Sequence, residues 1–371
     1  MRYTRDPLAV ALLFLFAASS LSAQKKKKPG SDDEGYVPVV APDSKSKKKD
    51  QDLNQTLPPP TELPLTIAAE TDRLAFHVSP LSSRGLLSQQ TRDALKALLK
   101  ADHGTIVKLR AFVAGSGDLR RVGELVGEIF TDKHQPLPVL TVVQVGALPR
   151  EGAQVVIESI EVDKKVVNPN GVAFLSAQPA ASVAESLGKL KSVLASAGIE
   201  ASDALMVTCF VSSLDSQRDA GTSMAEAFPR AAFDYVQMQR GPVAPAAACE
   251  ARARLARPTS SVEPQIALVS SPQVVFTGTQ LAFGSKDTDL KLAFDRLEKA
   301  LAARNTRLDQ VVASHVYLTA DGLAGRMVAK EAVRFGAHSP AGTMLPFEGL
   351  PSLDAPLGIE VIAVPDSSAA R

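Results

Sequence analysis

The feature that constrains this chain most is an order of elements that recurs three times, at a spacing of about 100 residues. Each repeat opens with a strand that ends in small polar residues. These are Leu74-Ala75-Phe76-His77-Val78-Ser79, Val172-Ala173-Phe174-Leu175-Ser176 and Val274-Val275-Phe276-Thr277-Gly278. An amphipathic helix follows, marked by Leu95, Leu98 and Leu99, then by Leu187, Leu190 and Leu194, then by Leu292, Ala293, Leu297, Ala300 and Leu301. A strand rich in β-branched residues comes next, at 106–113, 205–211 and 311–318. A second helix is expected at 122–130, 224–232 and 327–335. Two closing strands, expected to pair as a hairpin, return at 155–162, 247–255 and 358–364. The order β-α-β-α-β-β predicts an α/β (α+β) fold: a mixed sheet with both helices on one face. The other face of each sheet needs cover as well. Three such sheets in one chain are expected to cover one another around a pseudo-threefold axis. The units are placed at 63–162, 163–258 and 262–365.

The flanks are of another kind. Residues 1–23 read as a secretory signal peptide, with Arg2 and Arg5 before an apolar stretch from Leu8 to Ala18 and small residues ending at Ala23. That stretch is shorter than the roughly 20 residues that span a bilayer, so no transmembrane helix is expected after cleavage. The absence of a following Cys and of a twin Arg points to Sec export, to the periplasm or the medium. Residues 24–62 read as a disordered tether. Lysines at 25–28 and 47–49, an acidic run at 32–34 and prolines at 58–60 leave few apolar side chains to offset ordering. Its lysines suit a solvated tether better than a contact with an anionic surface. Over the whole chain, 41 Lys and Arg stand against 40 Asp and Glu, which argues against nucleic acid as a partner.

The two cysteines, Cys209 and Cys249, lie in strand-like apolar contexts. Export permits a disulfide, but the geometry of a bridge is demanding, and two buried free thiols are the expected state. The five histidines (His77, His103, His134, His315, His338) show no paired spacing, and no metal site or cofactor is expected.

The third unit carries the most specific pattern. It has Phe276-Thr277-Gly278-Thr279-Gln280, then Leu308-Asp309-Gln310-Val311-Val312 and Val316-Tyr317-Leu318-Thr319. It continues with Ser339-Pro340-Ala341-Gly342-Thr343, Gly349-Leu350-Pro351 and Ile359-Glu360-Val361-Ile362-Ala363. In these residues the chain resembles the RidA/YjgF family, also called the L-PSP or reactive-intermediate deaminase family. The first unit matches from 91 to 162, and the second is clear in its helices and last strands. The resemblance implies three tandem chorismate-mutase-like units. Family members are typically single units that assemble as homotrimers with ligand clefts between subunits. A chain of three units then looks like that trimer fused into an intrachain pseudo-trimer, monomeric in solution.

The resemblance also implies enamine or imine hydrolysis through an Arg in a Pro-Ala-Arg-Thr/Ser motif, where a guanidinium grips a substrate carboxylate by two parallel hydrogen bonds. Here the matching positions are Leu140, Phe233 and Gly342. Arg230 falls three residues too early. Of the Glu-x-Glu in the family's last strand, the first acid is replaced by Val156, Ala248 and Gly358. The second remains as Glu158, Glu250 and Glu360, read as structural carboxylates at the pseudo-threefold interface. No catalytic residue is assigned. The expectation is an exported, non-catalytic protein that binds a small metabolite or a partner at inter-unit clefts. The alternatives are a RidA-type deaminase and a structural, envelope-associated interaction protein. Gly342 leaves room where Leu140 and Phe233 fill theirs, so Thr277, Gly278, Gly342 and Thr343 are the candidate ligand residues.

Overall fold

A computed structural model describes residues 61–366 except 102, 242, 243, 321 and 337. The expected signal peptide at 1–23, and the tether at 24–62 apart from its last two residues, lie outside the described residues. The first third holds β1 (Thr66–Glu70), β2 (Leu74–Val78), α1 (Leu87–Ala101), β3 (Thr105–Ala114), α2 (Leu119–Asp132), β4 (Val139–Val145) and β5 (Val155–Val162). The second holds β6 (Val172–Ala180), α3 (Val183–Ser196), β7 (Ala204–Val211), α4 (Ala220–Ala227), β8 (Ala232–Gln237) and β9 (Ala247–Arg254). The third holds β10 (Ser261–Glu263), β11 (Ile266–Val269), β12 (Gln273–Thr277), β13 (Gln280–Ala282), α5 (Asp287–Ala302), β14 (Val311–Leu318), α6 (Ala324–Arg334), β15 (Ala341–Pro346) and β16 (Leu357–Ala363).

The three sheets share one pairing pattern. The central strands β3, β7 and β14 pair in parallel with β4, β8 and β15, and antiparallel with β5, β9 and β16. The two closing strands of each unit therefore do not form the expected hairpin, because the central strand lies between them. The cause is the helix between β3 and β4 and its two counterparts. A crossover helix returns the chain parallel to the strand it left, and the last strand takes the free edge on the other side.

Sheet membership also departs from the sequence boundaries. β1 pairs with β12 of the third sheet, and β11 pairs with β6 of the second. The stretch that opens the second unit runs beside the first sheet, where Asp163 N donates to Arg73 O and Val167 N to Asp72 O. Strands near the start of the first and last thirds of the chain thus join the sheets of other thirds. Gly171 makes the close approach possible: at its φ of 101°, a Cβ would stand 2.1 Å from Val269 O.

Each sheet packs its two helices on one face. In the first unit Leu95 and Leu98 of α1 and Val122, Val126 and Phe130 of α2 are buried there. In α5 the buried stripe is Leu290, Ala293, Phe294, Leu297, Ala300 and Leu301. Leu292 is 53% exposed, off the stripe expected to include it, because the neighbouring positions 290, 293 and 294 already hold the inward face. α4 stops at Ala227 rather than reaching 232. Pro229 disfavours helical backbone at the preceding residue, and Phe228 has φ −139° and ψ 69°. The other faces of the sheets meet centrally in two clusters drawn from all three units. One holds Phe76, Phe174 and Phe276, and the other Phe112, Phe210 and Tyr317. Among the described residues no helix is long and apolar enough to cross a membrane, and no group of side chains is arranged to hold a metal ion.

Cys209 and Cys249 form a disulfide, contrary to the expected free thiols. The register explains it. β7 and β9 are antiparallel neighbours that place the two residues directly opposite, with Cα atoms 4.1 Å apart and both side chains in the same helix-facing core.

Candidate functional site

Between the two central apolar clusters lies a layer of buried charge. It is built from equivalent positions of the three sheets. Arg110, Thr208 and His315 stand opposite Glu158, Glu250 and Glu360 on the last strands, and opposite Thr141, Asp234 and Thr343 on the parallel neighbours. Strand alternation puts all of them on the face away from the helices.

The contacts run from sheet to sheet. Glu158 accepts from Thr208 Oγ1 at 2.6 Å. Glu250 faces His315 Nε2 at 3.1 Å and accepts from Thr343 Oγ1 at 2.9 Å. Glu360 accepts from Lys108 Nζ at 2.8 Å and from Thr141 Oγ1, which closes the circle on the first unit. Arg110 joins two units, with Nε to Glu158 at 2.6 Å and Nη2 to Glu250 at 2.7 Å. Arg252 adds a second cation at Glu250, 2.9 Å away. Tyr317 donates to Glu360 at 3.0 Å.

Burial alone raises a carboxyl pKa. Against it, Lys108, His315 and Arg110 hold Glu360 at about 2. Arg252, His315 and Arg110 likewise hold Glu250 well below its ordinary value. Burial lowers Lys108 despite Glu360. Asp234 goes the other way: burial, then the Glu158 charge, push it up to about 8, and its Oδ2 has no hydrogen-bond partner among the described residues. A void of about 20 Å³ sits in the layer, between Arg110, Glu158, Arg252, His315 and Glu360. This volume admits one water and no organic substrate. The layer is a charged joint between the three sheets, and Glu158, Glu250 and Glu360 lie in it.

The clefts are further out. Leu140 is half-buried, Phe233 is 42% exposed and Gly342 is exposed, each on the strand beside the central one and on the opposite face from the charged layer. Leu140 lines a cleft of about 210 Å³ with Leu119, Val142, Gly278, Leu281 and Pro351, so this cleft joins the first and third units. The chain's own Leu63-Pro64-Leu65 runs along it, and Gly278 N donates to Leu65 O at 3.0 Å. Phe233 and Tyr235 line an open cleft of about 780 Å³ between the second and first units, with Arg218, Leu81 and Pro149. A Cβ at Gly342 would meet Ser314 Oγ at 3.3 Å and Pro340 O at 3.8 Å, while the neighbouring Thr343, on the other face, accepts from Ala177 N at 2.9 Å.

The four residues expected to share one pocket are therefore divided. Thr277 is buried, with its carbonyl on Lys108 Nζ and its hydroxyl on Val361 N, and Gly278 opens into the cleft with the first unit. Thr343 lies at the seam with the second, and Gly342 on the other face of the same strand. In the sheet order β1-β12-β16-β14-β15, β12 and β15 are three strand steps apart, about 14 Å at the usual strand spacing. No cation replaces the missing guanidinium on the strand. Arg230 precedes β8, which begins at Ala232.

Sequence reasoning passed over Lys108, Arg110, Asp234, Arg252, His315 and Tyr317. A signal existed for the first two, since charges at 108 and 110 interrupt an otherwise apolar strand with period two. His315 carried none, because its partners lie across strands rather than along a helix.

No protein-family model matches the chain, and no curated protein matches it. Solved structures do. A member of the YjgF/YER057c/UK114 family from Mycobacterium tuberculosis is 24% identical, covering 28% of this chain and 81% of its own, with a TM-score of 0.23. A member of the YjgF family from Neisseria meningitidis is 16% identical, covering 25% and 81%, with a TM-score of 0.24. Yeast Mmf1 is 26% identical, covering 29% and 95%, with a TM-score of 0.24. Each match spans about a quarter of this chain, and TM-scores this low describe a partial likeness without bearing on activity.

Proposed function

We propose that this chain is a RidA-like trimer fused into one polypeptide, exported, and used to bind small molecules at its inter-unit clefts rather than to deaminate them. The observation that carries the reading is the identity of the three matched clamp positions. Leu140, Phe233 and Gly342 occupy register-equivalent sites in the three sheets, and none presents a cation to a carboxylate. The cations nearest the axis, Lys108, Arg110 and Arg252, are engaged by glutamates within the buried layer. The clefts nevertheless persist, as the opening beside Phe233 illustrates. Export draws support from the Cys209–Cys249 disulfide, a bond that persists in oxidising compartments. The chain is expected to act as a monomer, without a cofactor.

The test is hydrolysis of a short-lived enamine generated in situ by a dehydratase. Adding the full chain should release keto acid no faster than the uncatalysed blank. Acceleration in proportion to added protein would establish the deaminase reading instead.

A further inference from the structure

The helix-facing side of the third sheet differs in kind from the other two. At the pair formed by the central strand and its parallel neighbour, the first unit has Leu109 with Leu140 and the second has Val207 with Phe233. The third has Ser314 with Gly342. The covering helix changes at the same place. A phenylalanine in each unit, Phe130, Phe228 and Phe335, anchors the end of the second helix in the core. Four residues before it stand Val126 and Met224, both buried, and in the third unit Glu331. Three large apolar side chains are thus replaced together by a hydroxyl, a glycine and a carboxylate.

These three residues adjoin one another. Ser314 Oγ donates to Glu331 Oε1 at 3.3 Å. A Cβ built on Gly342 would stand 3.3 Å from the same Ser314 Oγ. Gly342 is exposed, while Glu331 is half-buried and Ser314 fully buried. Among the described residues no Lys, Arg or His pairs with Glu331, although Arg326, Lys330 and Arg334 on the same helix all pair with other acids. Desolvation by burial pushes the carboxyl up to about 7, which a bound cation would reverse.

We infer that Ser314, Glu331 and Gly342 form a notch on the helix-facing side of the third sheet that receives the ammonium group of a small amine. Three points carry this. A half-buried carboxylate without a counter-ion is completed by a cation. The missing side chain at 342 leaves the Ser314 hydroxyl, and Glu331 behind it, next to an exposed stretch of β15. The ammonium then takes hydrogen bonds from neither group but donates to both the carboxylate and the serine oxygen. The polarity is the reverse of a carboxylate clamp: the protein supplies the anion and the ligand the cation. This inference rests on the cleft-binding reading and adds the ligand's chemistry in the third unit.

The experiment compares phenethylamine, phenylacetate and 2-phenylethanol, matched in ring and chain length, by amide chemical-shift titration of the full chain. Phenethylamine should shift Gly342, Ser314 and Glu331 and bind at least tenfold more tightly than either of the others. Glu331→Gln should remove that preference. Gly342→Leu, which copies the residue of the first unit, should block binding while the remaining spectrum stays folded. Equal shifts from phenylacetate, or a preference that survives Glu331→Gln, would overturn the assignment of charge while leaving cleft binding standing. No shift at these residues from any of the three would overturn both the notch and cleft binding in this unit.

Discussion

Replacing Arg110 by Met should destabilise the fold by about 3–5 kcal/mol, the range for breaking a buried ion pair by removing one partner. The magnitude follows from the contacts. Arg110 gives Glu158 a bond of 2.6 Å and Glu250 one of 2.7 Å, and the three side chains are at most 5% exposed. Hydrogen bonds to charged groups contribute roughly 1.5–3 kcal/mol each, and packing of the Met side chain offsets part of the loss. Glu250 keeps Arg252 and His315. Glu158 keeps only the neutral hydroxyl of Thr208, so most of the cost falls there. The assay is equilibrium denaturation by urea at pH 7, read as the shift in midpoint at constant slope. Arg120→Met is the control. Arg120 pairs with Asp118 at the surface, where the pair is screened, so no measurable shift is expected. A loss below about 1 kcal/mol for Arg110→Met would refute the claim that this layer joins the units.

Four further outcomes follow from the same geometry. Asp234 has a folded-state pKa of about 8, raised above that of the unfolded chain, so its contribution is present below about pH 4 and lost as pH rises through 8. Asp234→Asn should remove that decline, and parallel pH-stability profiles for the two proteins would count against it. Glu360, held at about 2, works in the opposite window: its contribution of about 3 kcal/mol is present above about pH 4.5 and lost on acidification. Cys209→Ala with Cys249→Ala should cost about 4 kcal/mol, the chain-entropy value for a loop of 40 residues, and the parent protein should titrate no thiol even when denatured. Gly342→Arg should fold with little loss, because its Cβ meets the rotatable Ser314 hydroxyl and, at ordinary contact distance, Pro340 O, and circular dichroism melts would expose a larger penalty.

The sequence disclosed what is periodic and local. The strand at Val311–Leu318 and the helix from Leu187 to Leu194 follow from side-chain spacing along one segment, and the structure has them. It did not disclose which strands become neighbours. The expected hairpin failed because strand order is decided by crossover handedness and edge availability, neither of which is written in a strand's own residues. The disulfide was missed for the same reason, since it depends on the register of β7 against β9. The site divided similarly. Glu158, Glu250 and Glu360 are legible together because each stands in a closing strand of its sheet. Glu331 was not, because only the packing of α6 on the third sheet shows that its position is a core position elsewhere.

The central claim is that the proposed inter-unit clefts belong to one chain. Sedimentation equilibrium of the full chain, from about 1 to 100 μM at physiological salt, measures this. The mass of a single chain is expected throughout, since the central faces of the three sheets already pack against one another and β1 pairs with β12 of the third sheet. A stable species of three chains would contradict it, because the clefts would then lie between molecules.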